Sequence, residues 1–226
     1  MANNEEKKAN APAKSQNTMV KDALILFVIT IVAGLLLGAV YTITKDPIAA
    51  AEEKTTNDAY AAVYEGGEFA ADDALTKAVE DFTKQAAAGK LDDEAYSYTD
   101  VELLEARTAS VGGAQTGYVI KVSGKGYGGA VVIALGITNE GEVLGINILD
   151  NSNETPGLGQ NSSKEDWNSQ YVGKSLAAGS LQVTKTGDAG ENMIDSITGA
   201  TITSNAVTRA VNVALKFVAS QTGQEG

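Results

Sequence analysis

The sequence predicts an α+β protein: a mostly antiparallel sheet with packed helices, behind a single N-terminal transmembrane helix. Three observations carry this prediction. Ala23 to Ile43 is an uncharged, apolar run. Between about residues 96 and 150, runs rich in β-branched residues alternate with glycine-rich turns, the pattern of a pleated sheet. Stretches with apolar residues at helical spacing flank those runs on either side.

The apolar run would extend about 31 Å as a helix, enough to cross a hydrocarbon core of ~30 Å. It is too long for a cleaved signal peptide and ends in Tyr41-Thr42-Ile43 rather than a small-residue cleavage site. Its length and lack of charge also set it apart from a buried core helix. Lys7, Lys8, Lys14 and Lys21 precede it, whereas only Lys45 and Lys54 follow closely. Basic residues stay on the cytoplasmic side, so the N-terminus is expected in the cytoplasm and residues 45–226 outside the cell (inner) membrane. Residues 1–21 read as a disordered cytoplasmic tail and 22–44 as the anchor. Residues 45–66 read as an Ala-rich helical stalk with Pro47 in its first turn, ended by Gly66-Gly67. Residues 67–222 form the folded domain and 223–226 a short tail.

Within the domain, Asp72-Asp73 open a helix whose Leu75, Val79, Phe82 and Ala86 share one face, and Gly89 ends it. The β runs are YSYTDVELLEARTA, TGYVIKVS, GGAVVIALGIT and EVLGINILD, with Asn139-Glu140-Gly141 as a hairpin turn. A loop at 151–160, a short helix near 163–171 and a strand at 181–186 follow. The last helix, about 203–219, presents Val207, Ala210, Val211, Ala214, Leu215, Phe217 and Val218.

Composition narrows the chemistry. The 226 residues include no Cys and no His. Disulfides, thiolate zinc sites, Cys-ligated clusters, His-ligated haem and His-based nucleophile systems are therefore excluded for this chain. The net charge is −12, and 26 of the 29 acidic residues lie beyond the anchor. Nucleic-acid binding needs clustered Lys and Arg, so it is not expected.

Three glycine-rich segments remain: Gly124-Lys125-Gly126-Tyr127-Gly128-Gly129, Glu154-Thr155-Pro156-Gly157-Leu158-Gly159, and Asp195-Ser196-Ile197-Thr198-Gly199-Ala200-Thr201. Taken singly, each also reads as ordinary structure: a hairpin connection, a type II turn, and a strand end leading to a helix cap. The third has more content, because it runs into the start of the last helix. Unpaired N–H groups and the positive end of the helix dipole favour a phosphate there. Thr198, Thr201, Thr203 and Ser204 add hydroxyls. These residues point to a phosphate-bearing ligand at 198–205 without identifying it.

The run Asp195-Ser-Ile-Thr-Gly-Ala-Thr201 resembles the flavinylation motif Asp-x-x-Ser/Thr-Gly-Ala-Thr. That motif belongs to the membrane-anchored FMN-binding domains of Rnf complexes and of Na⁺-translocating NADH:quinone oxidoreductases. The other two segments resemble further motifs of that family, in the same order. The resemblance implies FMN held covalently by a phosphoester on Thr201, attached by a flavin transferase that uses FAD. Asp195 would belong to the transferase signal. Thr198, Gly199, Ala200 and Ser204 would surround the phosphate. Glu154, Thr155, Pro156, Gly157, Leu158 and Gly159 would lie against the flavin ring, with Tyr127 and Gly128 lining the same pocket. Trp167 either covers the flavin or is a core residue. Chain length favours the G subunit of an Rnf-type ferredoxin:NAD⁺ oxidoreductase, coupled to Na⁺ or H⁺ translocation, over the C subunit of a quinone reductase. Partners would be the membrane and peripheral subunits of that complex. Two other classes stand beside this one: a module holding a phosphorylated ligand non-covalently, and a hydrolase with a Thr or Ser nucleophile and Lys121 or Lys185 as base.

Overall fold

The structure is a computed structural model that describes residues 16–187 and 190–223. Residues 1–15 of the expected cytoplasmic tail and residues 224–226 lie outside the described residues. The chain divides into two compact units, Met1–Glu53 and Lys54–Gly226.

Helix α1 (Gln16–Val63) supplies the described part of the first unit and continues into the second. It begins before the expected anchor and does not restart at Pro47, which lies inside it. Proline has no N–H, so the Ile43 carbonyl loses its usual helical donor. Just before this gap, the hydroxyls of Thr42 and Thr44 donate to the carbonyls of Gly38 and Val40, each at 2.8 Å. Apolar side chains from Leu24 to Ile48 are exposed on every side of the helix. A helix apolar all round must find an apolar medium. This one suits a single-pass membrane anchor.

The second unit begins at Lys54, within the stretch read as the stalk. The physical reason is that the end of the stalk is part of the domain. Ala59, Tyr60, Val63 and Tyr64 are buried with Ala109, Val119 and Ala134. These last three come from a sheet of five strands in sequential order: β1 (Glu68–Ala70), β2 (Val101–Val111), β3 (Ala114–Lys125), β4 (Ala130–Thr138) and β5 (Val143–Asp150). Every pairing in it is antiparallel. Alternation along each strand divides residues between two faces. On β3, Tyr118, Ile120 and Val122 face the main core, while Val119 faces α1. Small residues let α1 approach: a Cβ added at Gly136 would stand 2.2 Å from the Val63 carbonyl oxygen.

The main core lies on the other face. Helix α2 (Asp73–Ala87) is capped by the Asp72 carboxylate, which accepts from the Leu75 N–H at 2.6 Å. It buries Leu75, Val79, Phe82 and Ala86, the four residues its periodicity selects. After β5, the chain forms 3₁₀ turns at Gly159–Ser163 and Ser169–Tyr171 around the short helix α3 (Glu165–Asn168). Strands β6 (Gln182–Thr184) and β7 (Met193–Asp195) then pair in parallel. Helix α4 (Thr201–Thr222) follows. Its predicted apolar face is buried, and so are Thr203, Ser204, Thr208 and Asn212. It is a core helix surrounded by protein rather than an amphipathic surface helix.

Asp93 fastens the α2–β2 connection to this core. Its Oδ2 accepts from the Ser180 hydroxyl at 2.6 Å and the Tyr98 hydroxyl at 2.7 Å, and pairs with Lys216 of α4 at 2.9 Å. Burial pushes the carboxyl's pKa up. The hydrogen bonds from Ser180, Tyr98, Lys216 and the Tyr96 N–H outweigh it and hold the carboxyl well below the usual carboxylate range.

Two outcomes follow from this packing. Gly136→Ala forces the α1 seat apart and lowers stability by about 1–3 kcal/mol, read as a fall in the thermal midpoint of the full chain. For Asp93, a depressed folded-state pKa means its stabilisation is complete above the unfolded carboxylate value and lost as pH falls through the folded one. Urea unfolding at stepped acidic pH is expected to show that loss, and Asp93→Asn is expected to flatten it.

Candidate functional site

The three glycine segments meet in space at the N-terminus of α4. Each comes from a different connection: β3 to β4, the loop after β5, and β7 to α4. A cavity of about 490 Å³ opens between them. Tyr127 lines it from the first segment, Glu154, Thr155, Leu158 and Gly159 from the second, and Gly199, Ala200 and Thr201 from the third. Ile202 and Thr203 complete the wall. Tyr127 and Ile202 are exposed at 72% and 53%, and Leu158 at 40%, so the mouth presents apolar surface to whatever occupies it.

The phosphate-favouring end of α4 faces this cavity. Ala200 stands at the N-cap with no side-chain hydrogen bond to the first turn. Free N–H groups there retain their capacity to bind an anion. Of the four hydroxyls named from the sequence, two are used internally. Thr203 donates to the Glu154 carboxyl. Ser204 donates to the Ala200 carbonyl and accepts from the Ile197 N–H, both at 3.0 Å. Ser204 is fully buried and does not line the cavity. Thr198 is exposed outside the lining. Thr201 is half-buried and lines the cavity, and among the described residues its hydroxyl has no protein partner.

Glu154 lines the cavity and also ties its walls together. It is 2% exposed, and its two carboxyl oxygens are both engaged by protein. Oε1 accepts from the Gly128 N–H at 2.8 Å, and Oε2 accepts from the Thr203 hydroxyl. Gly128 therefore meets Glu154 through its backbone and does not line the cavity. Pro156 and Gly157 lie outside the lining too. They form an exposed turn in which Gly157 takes φ +77°, the left-handed conformation that glycine adopts freely.

Trp167 is a core residue. Its ring meets Tyr171 edge-on with centroids 5.5 Å apart, and Nε1 donates to the Asp195 carbonyl at 2.6 Å. It does not line the cavity. Gln170 Oε1 accepts from the Asp195 N–H at 2.8 Å. Together Trp167 and Gln170 pin the Asp195 backbone. Among the described residues, the Asp195 carboxyl keeps a buried oxygen, Oδ1, without a hydrogen-bond partner.

The bases proposed for a hydrolase are elsewhere. Lys121 meets Thr56 of α1 on the opposite face of the sheet, at 3.4 Å, and Lys185 is exposed just beyond β6.

Ile202 is a site residue that the motifs do not mark. Its one signal is an isoleucine off the buried face of α4, exposed beside the threonines. Gln170 carries no signal in the sequence, because its contact with Asp195 depends on the fold of the 151–171 loop.

The model of the RnfG N-terminal region matches residues 10–63, and that of the FMN-binding domain matches 126–216, which includes all three segments almost entirely. The G subunit of the proton-translocating ferredoxin:NAD(+) oxidoreductase complex of Clostridium ljungdahlii is 32% identical, over 94% of this chain and 98% of its own. The G subunit of the Na(+)-translocating complex of Acetobacterium woodii is 43% identical over 51% of this chain and 55% of its own length. Among solved structures, the C subunit of a Na(+)-translocating NADH-quinone reductase from Parabacteroides distasonis superposes with a TM-score of 0.44 at 20% identity, over 70% of this chain and 99% of that one. The chain belongs to the RnfG family, the G subunits of ion-translocating ferredoxin:NAD(+) oxidoreductase (Rnf) complexes, and carries that family's FMN-binding domain.

Proposed function

We propose that this chain is a membrane-anchored electron carrier whose FMN is joined through its phosphate to the Thr201 hydroxyl. The observation that carries the proposal is the position of that hydroxyl. It lines the cavity at the uncapped start of α4, while its neighbours Thr203 and Ser204 are committed to internal hydrogen bonds.

The cavity suits the group. Leu158, Ile202 and Tyr127 offer apolar surface to a flat ring, and the first turn of α4 offers N–H groups to a phosphate. Among the described residues, no Lys or Arg lines it. A free phosphate monoester carries close to two negative charges at neutral pH, and the helix end supplies only about half a positive charge. A diester with Thr201 carries one negative charge. The cavity therefore favours the attached form over free FMN. In the attachment step, the Thr201 oxygen bonds to the FMN-side phosphorus of FAD. The pyrophosphate P–O bond breaks, AMP leaves, and the hydroxyl proton is released. A flavin transferase would perform it, reading Asp195, whose unpaired Oδ1 supports a role in recognition.

FMN supplies the redox chemistry when bound, and this chain supplies position and surroundings. By its family, the chain works beside other subunits of an Rnf-type complex that moves electrons between ferredoxin and NAD⁺. One relative is named for Na⁺ translocation and another for protons, so the family does not fix the coupling ion. Lys placement supports an N-terminus in the cytoplasm and a flavin domain on the extracytoplasmic side of the inner membrane. A covalent tether keeps FMN there, away from the cytoplasmic pool.

The test is a denaturing gel of membranes from cells that co-express a flavin transferase. A flavin-fluorescent band is expected at the mass of this chain and is expected to vanish in Thr201→Ala. A dark wild-type band, or a band that survives the substitution, overturns the proposal.

A further inference from the structure

We infer that Glu154 is a positioning residue for the flavin acceptor: its carboxyl clamps the first turn of α4 and so aims the Thr201 hydroxyl into the cavity. The inference rests on Thr201 being the acceptor and adds what holds it in place.

Glu154 joins segments far apart in sequence. Its partners Gly128 and Thr203 lie 26 positions before it and 49 after it. The surrounding glycines make room for the carboxyl itself. A Cβ added at Gly126 would stand 2.5 Å from Oε1, and one added at Gly159 would stand 2.4 Å from Oε2. Both distances are far inside van der Waals contact. These glycines are therefore needed for the clamp, whatever else the cavity holds.

The clamp acts at the first turn of α4, where the helix has no side-chain cap. The N-cap, Ala200, offers no side-chain acceptor, and among the described residues the other side-chain ties near the first turn are the Ser204 hydroxyl and Asn205, whose Oδ1 accepts from the Tyr96 hydroxyl at 2.9 Å. Thr203 shares that turn with Thr201, so fixing the Thr203 side chain holds the backbone from which the Thr201 side chain projects into the cavity. Without Glu154, the Gly128 N–H is released to solvent and the buried Thr203 hydroxyl loses its partner. The segments then separate. Gln in this place keeps both links: its carbonyl accepts from Gly128, and its amide donates to the Thr203 oxygen.

The experiment uses the full chain in detergent with flavin transferase and FAD, following the rate at which covalent flavin fluorescence appears. Glu154→Ala and Thr203→Val are expected to load at least about tenfold more slowly, as misplaced reacting groups do. Glu154→Gln is expected to load near the wild-type rate, and the Glu154→Ala/Thr203→Val pair no more slowly than the worse single variant. Hydrogen exchange on the flavin-free chain gives a second readout. Amides 204–207, the first that donate along the helix (Ser204 N–H to the Ala200 carbonyl), are expected to lose protection in Glu154→Ala and to regain it in Glu154→Gln. The inference is overturned if Glu154→Gln is as slow and as unprotected as Glu154→Ala, or if Thr203→Val loads normally. If wild type itself never acquires flavin, the assignment of Thr201 fails instead, and the exchange pattern alone decides whether the clamp exists.

Discussion

The buried carboxyl of Glu154 joins the ends of three separate connections, and the geometry of the site depends on it. Buried polar groups must be paired, and here the pairing is shared between a loop N–H and a helix hydroxyl. Neither partner is close to Glu154 in sequence, so the link forms only when the sheet, the 151–171 loop and α4 are all in place. The cavity is thus a product of the tertiary fold rather than of any one motif. Its walls are the outer surfaces of segments drawn together from within.

The sheet serves this site from both faces. On one, α4 is buried along most of its length, so its N-terminus is delivered to the edge of the core as a fixed point. On the other, the end of α1 covers residues that would otherwise expose Val119 and Ala134 to water. The last turns of α1, beyond the anchor, are therefore part of the domain's packing. The same polypeptide segment that leaves the apolar stretch also completes the fold that carries the candidate flavin site.

Much of the fold was legible because it rests on local patterns. Four strands announce themselves through β-branched runs and glycine turns, and α2 through four residues at helical spacing. The short strands β1 and β7 were not legible. Three residues carry little periodicity, and both strands exist because a neighbour offers a free edge. The continuity of α1 through Pro47 was also hidden, since proline argues locally for a boundary while the following turns are held by the sheet. At the site, the residue types pointed to a phosphate near Thr201, but their roles separated only in three dimensions. Ser204 turned inward, Trp167 joined the core beneath Asp195, and Glu154 became a tie between segments. A glycine beside a ligand and a glycine beside a carboxyl look the same in a sequence.

The central claim is that the cofactor is attached at Thr201. It is tested most directly by mass spectrometry of the peptide spanning 195–209, prepared from native membranes. The account predicts added mass equal to FMN less one water, with fragment ions that place it on Thr201. The peptide at its unmodified mass, or the added mass on Thr198, Thr203 or Ser204, would contradict it.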